Sequence, residues 1–307
     1  MSRACLKLFP VRDYNLDLTL SCGQAFRWHR VADGWEGVVA GKWIFLQSVP
    51  EGLLATCAEP LNDWQWLADY LQINVSLPEI LRTFPPDDPH LQQAVQSAYG
   101  LRLLRQEPWE CLASFILSST KQIPHIQQII ACLCQRFGAP VPVPPGHAPA
   151  HAFPTADVLA RVSEADLRAC RMGFRARALH QAARRVAAGE LPLAHLSRMD
   201  EAEARRTLMT LHGVGPKIAN CVLLFACGFP RAFPVDVWIM RALRQAYFPR
   251  RRPSPRRLEA FIQNHFGPQA GYAQQYLFHF WRTRPRPPRG AGDSLRKPAL
   301  TLPQAGL

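Results

Sequence analysis

Lys217 and Asp236 are the residues of this chain whose types and setting point most directly to chemistry. Lys217 follows the hairpin Leu211-His212-Gly213-Val214-Gly215-Pro216 and falls in the first turn of a predicted helix. Asp236, in Pro234-Val235-Asp236-Val237, comes nineteen residues later, where a second helix is predicted to start. An amine and a carboxylate so paired suit covalent attack by the amine, with the carboxylate steadying positive charge that develops on a sugar ring. Gly213 and Gly215 are expected to take backbone angles closed to other residues and to let a phosphate approach the main chain. Pro216 suits the first helical position, where its missing N–H costs nothing, and the N–H groups behind it form an anion site at the positive helix end. His212, Gly213, Val214 and Gly215 are therefore candidate contacts to a nucleic-acid backbone.

Each element also has a plainer explanation. A Gly-x-Gly can be a tight turn between helices, and most helical lysines are simply solvated. Asp236 suits a helix N-cap worth about 1 kcal/mol. Two features favour chemistry at Lys217. A positive charge is mildly disfavoured in a first helical turn, and the helix beyond it, Val222-Leu223-Leu224-Phe225, is apolar almost all round. Desolvation at the mouth of a buried helix would free the amine, whereas a nearby Asp236 would favour its protonated form. Cys221, four residues on, shares the lysine's face of the helix.

The elements that must position these groups divide into a small β part and a larger helical one. The chain has 307 residues, 48% hydrophobic and 10% aromatic, enough for a buried core. Net charge is +13, and the basic excess extends beyond the tail that starts at Arg282, which suggests a polyanionic partner. Trp35-Glu36-Gly37-Val38-Val39 and Trp43-Ile44-Phe45-Leu46 flank Ala40-Gly41-Lys42 and read as a hairpin. Helices are predicted over 61–71, 89–99, 108–137, 156–172, 176–188, 200–211, 216–227, 237–247, 254–266 and 272–280, with 139–154 a proline-rich loop. The expected organisation is an antiparallel β domain over 1–90, a helical domain over 91–282 and a disordered Arg/Pro tail over 283–307. Nine cysteines at irregular spacings are expected to be core thiols of a reducing compartment, since Cys132-x-Cys134 and His147/His151 are poor metal signatures. No apolar run suits a signal peptide or a membrane span.

The order helix, Leu-x-Gly-Val-Gly-x-Lys, buried helix, Pro-Val-Asp resembles the helix–hairpin–helix DNA glycosylases. Further segments narrow the resemblance to the 8-oxoguanine DNA glycosylase/AP lyase family. They are Leu16-Asp17-Leu18-Thr19-Leu20 with Ser21-Cys22-Gly23-Gln24-Ala25-Phe26-Arg27-Trp28, and Gly100-Leu101-Arg102-Leu103-Leu104-Arg105-Gln106 with Glu110-Cys111-Leu112. Ser114-Phe115-Ile116, Gly173-Phe174-Arg175-Ala176-Arg177 and Gly271-Tyr272-Ala273-Gln274 complete the series. The resemblance runs from about Leu16 to Phe280. It implies an α+β fold: a TATA-binding-protein-like antiparallel sheet domain, then the helical glycosylase domain. It implies that Lys217 attacks the sugar C1′, displaces the base and forms a Schiff base that leads to β-elimination, with Asp236 assisting. Gly23 would offer its carbonyl to the N7 hydrogen of 8-oxoguanine, Gln274 would bind the base edge, and Phe278 and Cys221 would sandwich the ring. Backbone carbonyls of Met209, Leu211 and Val214 would hold a cation beside the DNA phosphate. The reaction needs no cofactor, and the implied partner is duplex DNA met by a monomer, not a membrane.

The chain departs from the family pattern on the side of the opposite strand. Ser118-Ser119-Thr120-Lys121-Gln122 stands where animal members place asparagines after the serine pair, and His125 replaces an arginine that reads the opposite cytosine. Phe174 occupies a tyrosine position, with Arg175 and Arg177 retained beside it, and Trp238 replaces a histidine associated with phosphate contact. Thr120, Lys121, Gln122, His125, Phe174, Arg175, Arg177 and Trp238 are thus expected at the DNA, with an altered preference for the opposite base. Two other activities fit parts of the pattern. A monofunctional alkylpurine glycosylase would have the aspartate without the lysine, and a non-catalytic hairpin module would need neither. The expected location is the cytoplasm, on the nucleoid, of a bacterium, or the nucleus of a eukaryote.

Overall fold

Ala40 and Gly41, both with positive φ (+50° and +72°), turn the chain back so that Val39 faces Lys42. This two-residue turn matches the twist of the strands it joins. In the computed structural model, which describes residues 5–284, that hairpin is the centre of a five-stranded antiparallel sheet. Its strands are β1 (Cys5–Pro10), β2 (Trp28–Val31), β3 (Gly34–Val39), β4 (Lys42–Val49) and β5 (Gly52–Cys57), in the order β1-β5-β4-β3-β2. Alternation puts Trp35, Ile44, Leu46, Leu53 and Ala55 inside, against Leu16 and Leu20 of α1 (Leu16–Ser21) and Leu67 and Leu71 of α2 (Gln65–Leu71).

The rest of the described chain is helical apart from one small ladder. After α3 (Leu77–Leu81) and α4 (Pro89–Ser97) come α5 (Pro108–Leu117) and α6 (Ile123–Phe137). The single helix expected over 108–137 is broken at 118–122, where Thr120 takes a left-handed φ of +56°. Pro124 suits the restart: it lies in the first turn of α6, where its missing N–H costs nothing, whereas in one continuous helix it could not bond back to Thr120. The proline-rich loop holds two short paired strands, β6 (Pro140–Val141) and β7 (Ala150–His151). The helix expected over 156–172 is split into α7 (Ala156–Arg161), α8 (Glu164–Leu167) and a wide turn over Arg168–Met172. Ser163 caps α8 by accepting from Asp166 N–H, and Arg171 at φ +63° ends the run. Then follow α9 (Arg175–Ala187), α10 (Glu201–Met209), α11 (Pro216–Val222), α12 (Val237–Ala242), α13 (Pro255–His265) and α14 (Ala270–Thr283). Both α11 and α12 widen into π-turns, over Leu223–Cys227 and Leu243–Tyr247. The expectation of a disordered tail falls, from residue 285 on, outside the described residues.

Two buried polar side chains sew the sheet to the helices. Arg102, 2% exposed, donates from Nε to Asp13 O, from Nη2 to Arg12 O and Asp13 O, and from Nη1 to Val75 O. Gln24 donates to Thr19 O (2.9 Å) and Arg102 O (2.7 Å), accepts from Leu104 N–H (2.9 Å), and offers its own carbonyl to Gln106 Nε2 (2.7 Å). Backbone carbonyls in both parts are thereby satisfied by donors from a shared seam.

Candidate active site

The hairpin between α10 and α11 forms as its sequence suggests, with one correction. Leu211 and Val214 point into the core, and Val214 N–H closes the turn on Leu211 O at 3.1 Å. His212 and Gly213 are exposed at the tip. Gly213 takes φ +80°, where a Cβ would also press on Ala178 Cβ at 3.0 Å. Gly215, at φ −97° and ψ −176°, is ordinary extended backbone. The space beside it is open: a Cβ there would meet nothing within 4 Å. The Leu211 carbonyl named for a cation already accepts the Val214 N–H, so an ion at Met209, Leu211 and Val214 would share that oxygen.

Lys217 is half-buried and reaches back across the fold to α5. Its Nζ donates to Ser118 Oγ at 3.1 Å and lies 5.0 Å from the centre of the Phe115 ring. Ser118 spends its own hydroxyl proton on Phe115 O at 2.7 Å, so it presents a lone pair to the amine. Cys221 sits within reach on the same helix face; burial pushes its thiol up to about 11, and Lys217 pulls it down. Asp236 caps α12, its Oδ1 accepting from Trp238 N–H (3.0 Å) and Ile239 N–H (2.8 Å). Burial lifts the Asp236 carboxyl above its ordinary value, opposed by the cap bonds and by the Lys217 charge. The lysine and the aspartate are therefore close enough to feel each other, although the lysine's hydrogen bond goes to serine.

Gly23 and Phe278, two of the residues expected to hold the base, lie against each other, with Ile123 beside Gly23. Gly23 takes φ +84°, and a Cβ on it would strike Ile123 Cδ1 at 2.6 Å and approach Phe278 Cε1 at 3.6 Å. Gln274 and Phe278 are one turn apart on α14. The Gln274 Oε1 atom is buried without a hydrogen-bond partner, an acceptor awaiting a donor. Arg282, one turn further, lies 5.5 Å over the Phe278 ring and donates to Ser21 O at 3.4 Å. Its Nε is likewise buried and unpartnered, and the Asp236 charge acts on it. Ser118 and Phe115, which the sequence places only within family segments, and Ile123 and Arg282, which it assigns no role, also belong to this site. Of the last two, only Arg282 leaves a sequence signal, the four-residue spacing that continues the Gln274 and Phe278 face.

The residues expected on the opposite-strand side form a second surface. Thr120, Lys121, Gln122 and His125 are exposed around the α5–α6 break, and Phe174 is 67% exposed at the start of α9. Arg177 is exposed, but Arg175 is buried and turned inward. Its guanidinium donates to Ser119 O, Thr120 Oγ1 and Met172 O and stacks on the Phe174 ring at 4.4 Å. Arg175 thus ties the Thr120 loop to the Phe174 corner. Trp238 is half-buried beside Asp236, with the Arg241 guanidinium 4.9 Å from its ring.

Residues 8–112 match the family of 8-oxoguanine DNA glycosylase N-terminal domains, and residues 113–268 match the HhH-GPD superfamily of base excision DNA repair proteins. An N-glycosylase/DNA lyase OGG1 from Arabidopsis thaliana is 31% identical over 89% of this chain and 80% of its own length. Two solved structures are also similar. One, described as MBOgg1 in complex with a low affinity DNA ligand, has a TM-score of 0.84 at 32% identity over 91% of this chain and 98% of that one. The other is the Clostridium acetobutylicum 8-oxoguanine glycosylase/lyase with duplex DNA containing cytosine opposite 8-oxoguanine, TM-score 0.81 at 30% identity over 92% and 98%.

Proposed function

Because the chain belongs to the 8-oxoguanine DNA glycosylase family of helix–hairpin–helix repair proteins, we propose that it is a bifunctional N-glycosylase and DNA lyase acting on 8-oxoguanine in duplex DNA, with Lys217 as nucleophile and Asp236 as the assisting carboxylate. In this reading the hairpin tip of His212, Gly213 and Gly215 holds the phosphate backbone while the damaged nucleotide leaves the stack. The neutral Lys217 amine bonds to C1′ as the bond from C1′ to the base breaks, and the electron pair leaves with the base. Asp236 stabilises the positive charge on the sugar and carries the amine's proton away. Opening of the sugar ring gives the Schiff base. Loss of a C2′ proton then expels the 3′ phosphate by β-elimination.

The observation that carries this reading is the lysine amine held by Ser118 at the edge of a core, with the half-buried Asp236 carboxyl within its field. Specificity is read at the neighbouring base site. The Gly23 carbonyl would take the N7 hydrogen that 8-oxoguanine has and guanine lacks, and the orphaned Gln274 Oε1 would gain a donor from the base edge. Cys221 and Phe278 would face the two sides of the ring. The enzyme acts as a monomer in the compartment that holds the genome.

Borohydride trapping on an 8-oxoguanine duplex tests the mechanism. Wild type should give a covalent adduct and Lys217→Gln should give none; absence of an adduct with wild type overturns the lyase mechanism. The same assay against the four opposite bases tests the exposed His125 and Thr120 surface. A relaxed or shifted preference is expected, and strict dependence on cytosine would refute it.

A further inference from the structure

Beyond the hairpin and the proposed base site, a cavity of about 900 Å³ begins at Asp236 and runs along α12 to the loop that follows it. Five arginines line it: Arg241 and Arg244 from the helical run, and Arg250, Arg251 and Arg252 from the loop. All five are exposed, and none forms an ion pair with a carboxylate among the described residues. Asp236 is the one acid in the lining, and its carboxyl is already engaged in capping α12. Five cations gathered without counter-charge create a local positive potential, which water and salt screen in part and which attracts an anion of matching charge density.

The loop is held in place rather than left to wave. Phe248, at its root, packs edge-on against Phe261 of α13 at 5.0 Å and carries the Arg257 guanidinium at 5.7 Å. Pro249 and Pro253 flank the arginine triplet and restrict its backbone. From the other side, Arg284 donates to Gln245 at 3.0 Å, which pins the helical wall. The run Val237–Tyr247 is about 16 Å long at 1.5 Å per residue. Phosphates of one strand recur every ~3.4 Å along a duplex axis, so this wall can face several of them.

We propose that this arginine cavity is a second phosphate-binding site, which grips the backbone of duplex DNA beside the nucleotide held at Asp236. The ligand chemistry is a row of phosphodiesters, for which guanidinium forks are suited. The inference rests on the reading of the chain as an enzyme of duplex DNA, but its test needs no excision.

The test measures the affinity of the full chain for an undamaged duplex across a salt series. Each phosphate contact contributes ~0.9 to the slope of log K against log salt. Replacing Arg250, Arg251 and Arg252 together by alanine should flatten that slope by about 2. The wild type would then lose on the order of tenfold more affinity than the variant between 50 and 200 mM salt. The corresponding triple lysine variant should restore most of the slope. Methylphosphonate linkages placed singly along the duplex give a second readout: positions that weaken wild type and leave the alanine variant unmoved mark the site. An unchanged slope in a folded alanine variant overturns the proposal. So does a wild type that binds anionic lipid vesicles in preference to duplex. Failure of borohydride trapping, with the slope difference intact, would instead count against the catalytic reading alone.

Discussion

At Asp236 burial and capping act against each other, and burial prevails. The carboxyl is raised above its ordinary value although Trp238 and Ile239 donate to it and Lys217 lies near. A folded-state pKa above the unfolded one means that the folded protein holds this proton more readily. Stability from this group is therefore greatest at low pH and is lost as pH rises through the folded pKa. The proposed catalytic role runs the other way, because it calls for the ionised form to stabilise charge. Excision should fall on the acid side at a pH above the ordinary titration of an aspartate, and a pH profile of single-turnover rates checks this. Asp236→Asn keeps an oxygen to cap α12, so its melting temperature should stay near wild type while the rate drops on the order of 10²–10³-fold and the acid limb disappears. A profile whose acid limb survives in that variant would assign the limb to another group. Lys217 and Asp236 are legible in the sequence because hairpin, helix start and cap are local patterns. Ser118 is not, since it meets Lys217 from ninety-nine positions away. Nor is the inward turn of Arg175, which depends on where the α5–α6 break carries Ser119 and Thr120.

Among the elements, the hairpin distinguishes two glycines that look alike on paper. Gly213 needs its positive φ and has Ala178 against it, whereas Gly215 is extended, with open space beside it. Gly213→Ala should therefore destabilise the protein by about 1–2 kcal/mol. Gly215→Ala should leave the melting temperature unchanged or slightly raised, because it restricts only the unfolded chain. Both should weaken duplex binding, the first by distorting the tip and the second by blocking phosphate approach. Equal stability losses in denaturant titrations would contradict the assignment. The β3–β4 hairpin was readable for the same reason as the helical one: Ala40-Gly41 lies between two alternating runs. The strands β1, β2 and β5 carry weaker local signals, and the ladder fixes them only through partners such as Leu8 opposite Leu54. Two expected helices are interrupted in ways their apolar periodicity does not signal: 108–137 at the left-handed Thr120, and 156–172 at the extended Val162 and Ser163 and again at the left-handed Arg171.

In the molecule as a whole, the seam made by Arg102 and Gln24 carries more than its size suggests. Arg102, itself buried, donates to three backbone carbonyls from its side chain alone. Arg102→Met would remove these charged donors, and water can replace them only in part, for a loss of about 1–3 kcal/mol in total. Denaturation should show a loss of about 1–3 kcal/mol or a split into two transitions, and a single transition with unchanged stability would refute the role. Gly23 lies between Cys22, whose carbonyl accepts from Gln275, and Gln24, the seam's other member. The residue proposed to distinguish the lesion from guanine thus belongs to the sheet side of the seam, while the proposed nucleophile belongs to the helical side. Ancestry would be constrained accordingly. A descendant that shed the sheet could keep the lysine and the Gln274–Phe278 face but would lose the Gly23 carbonyl, the one contact proposed to separate 8-oxoguanine from guanine.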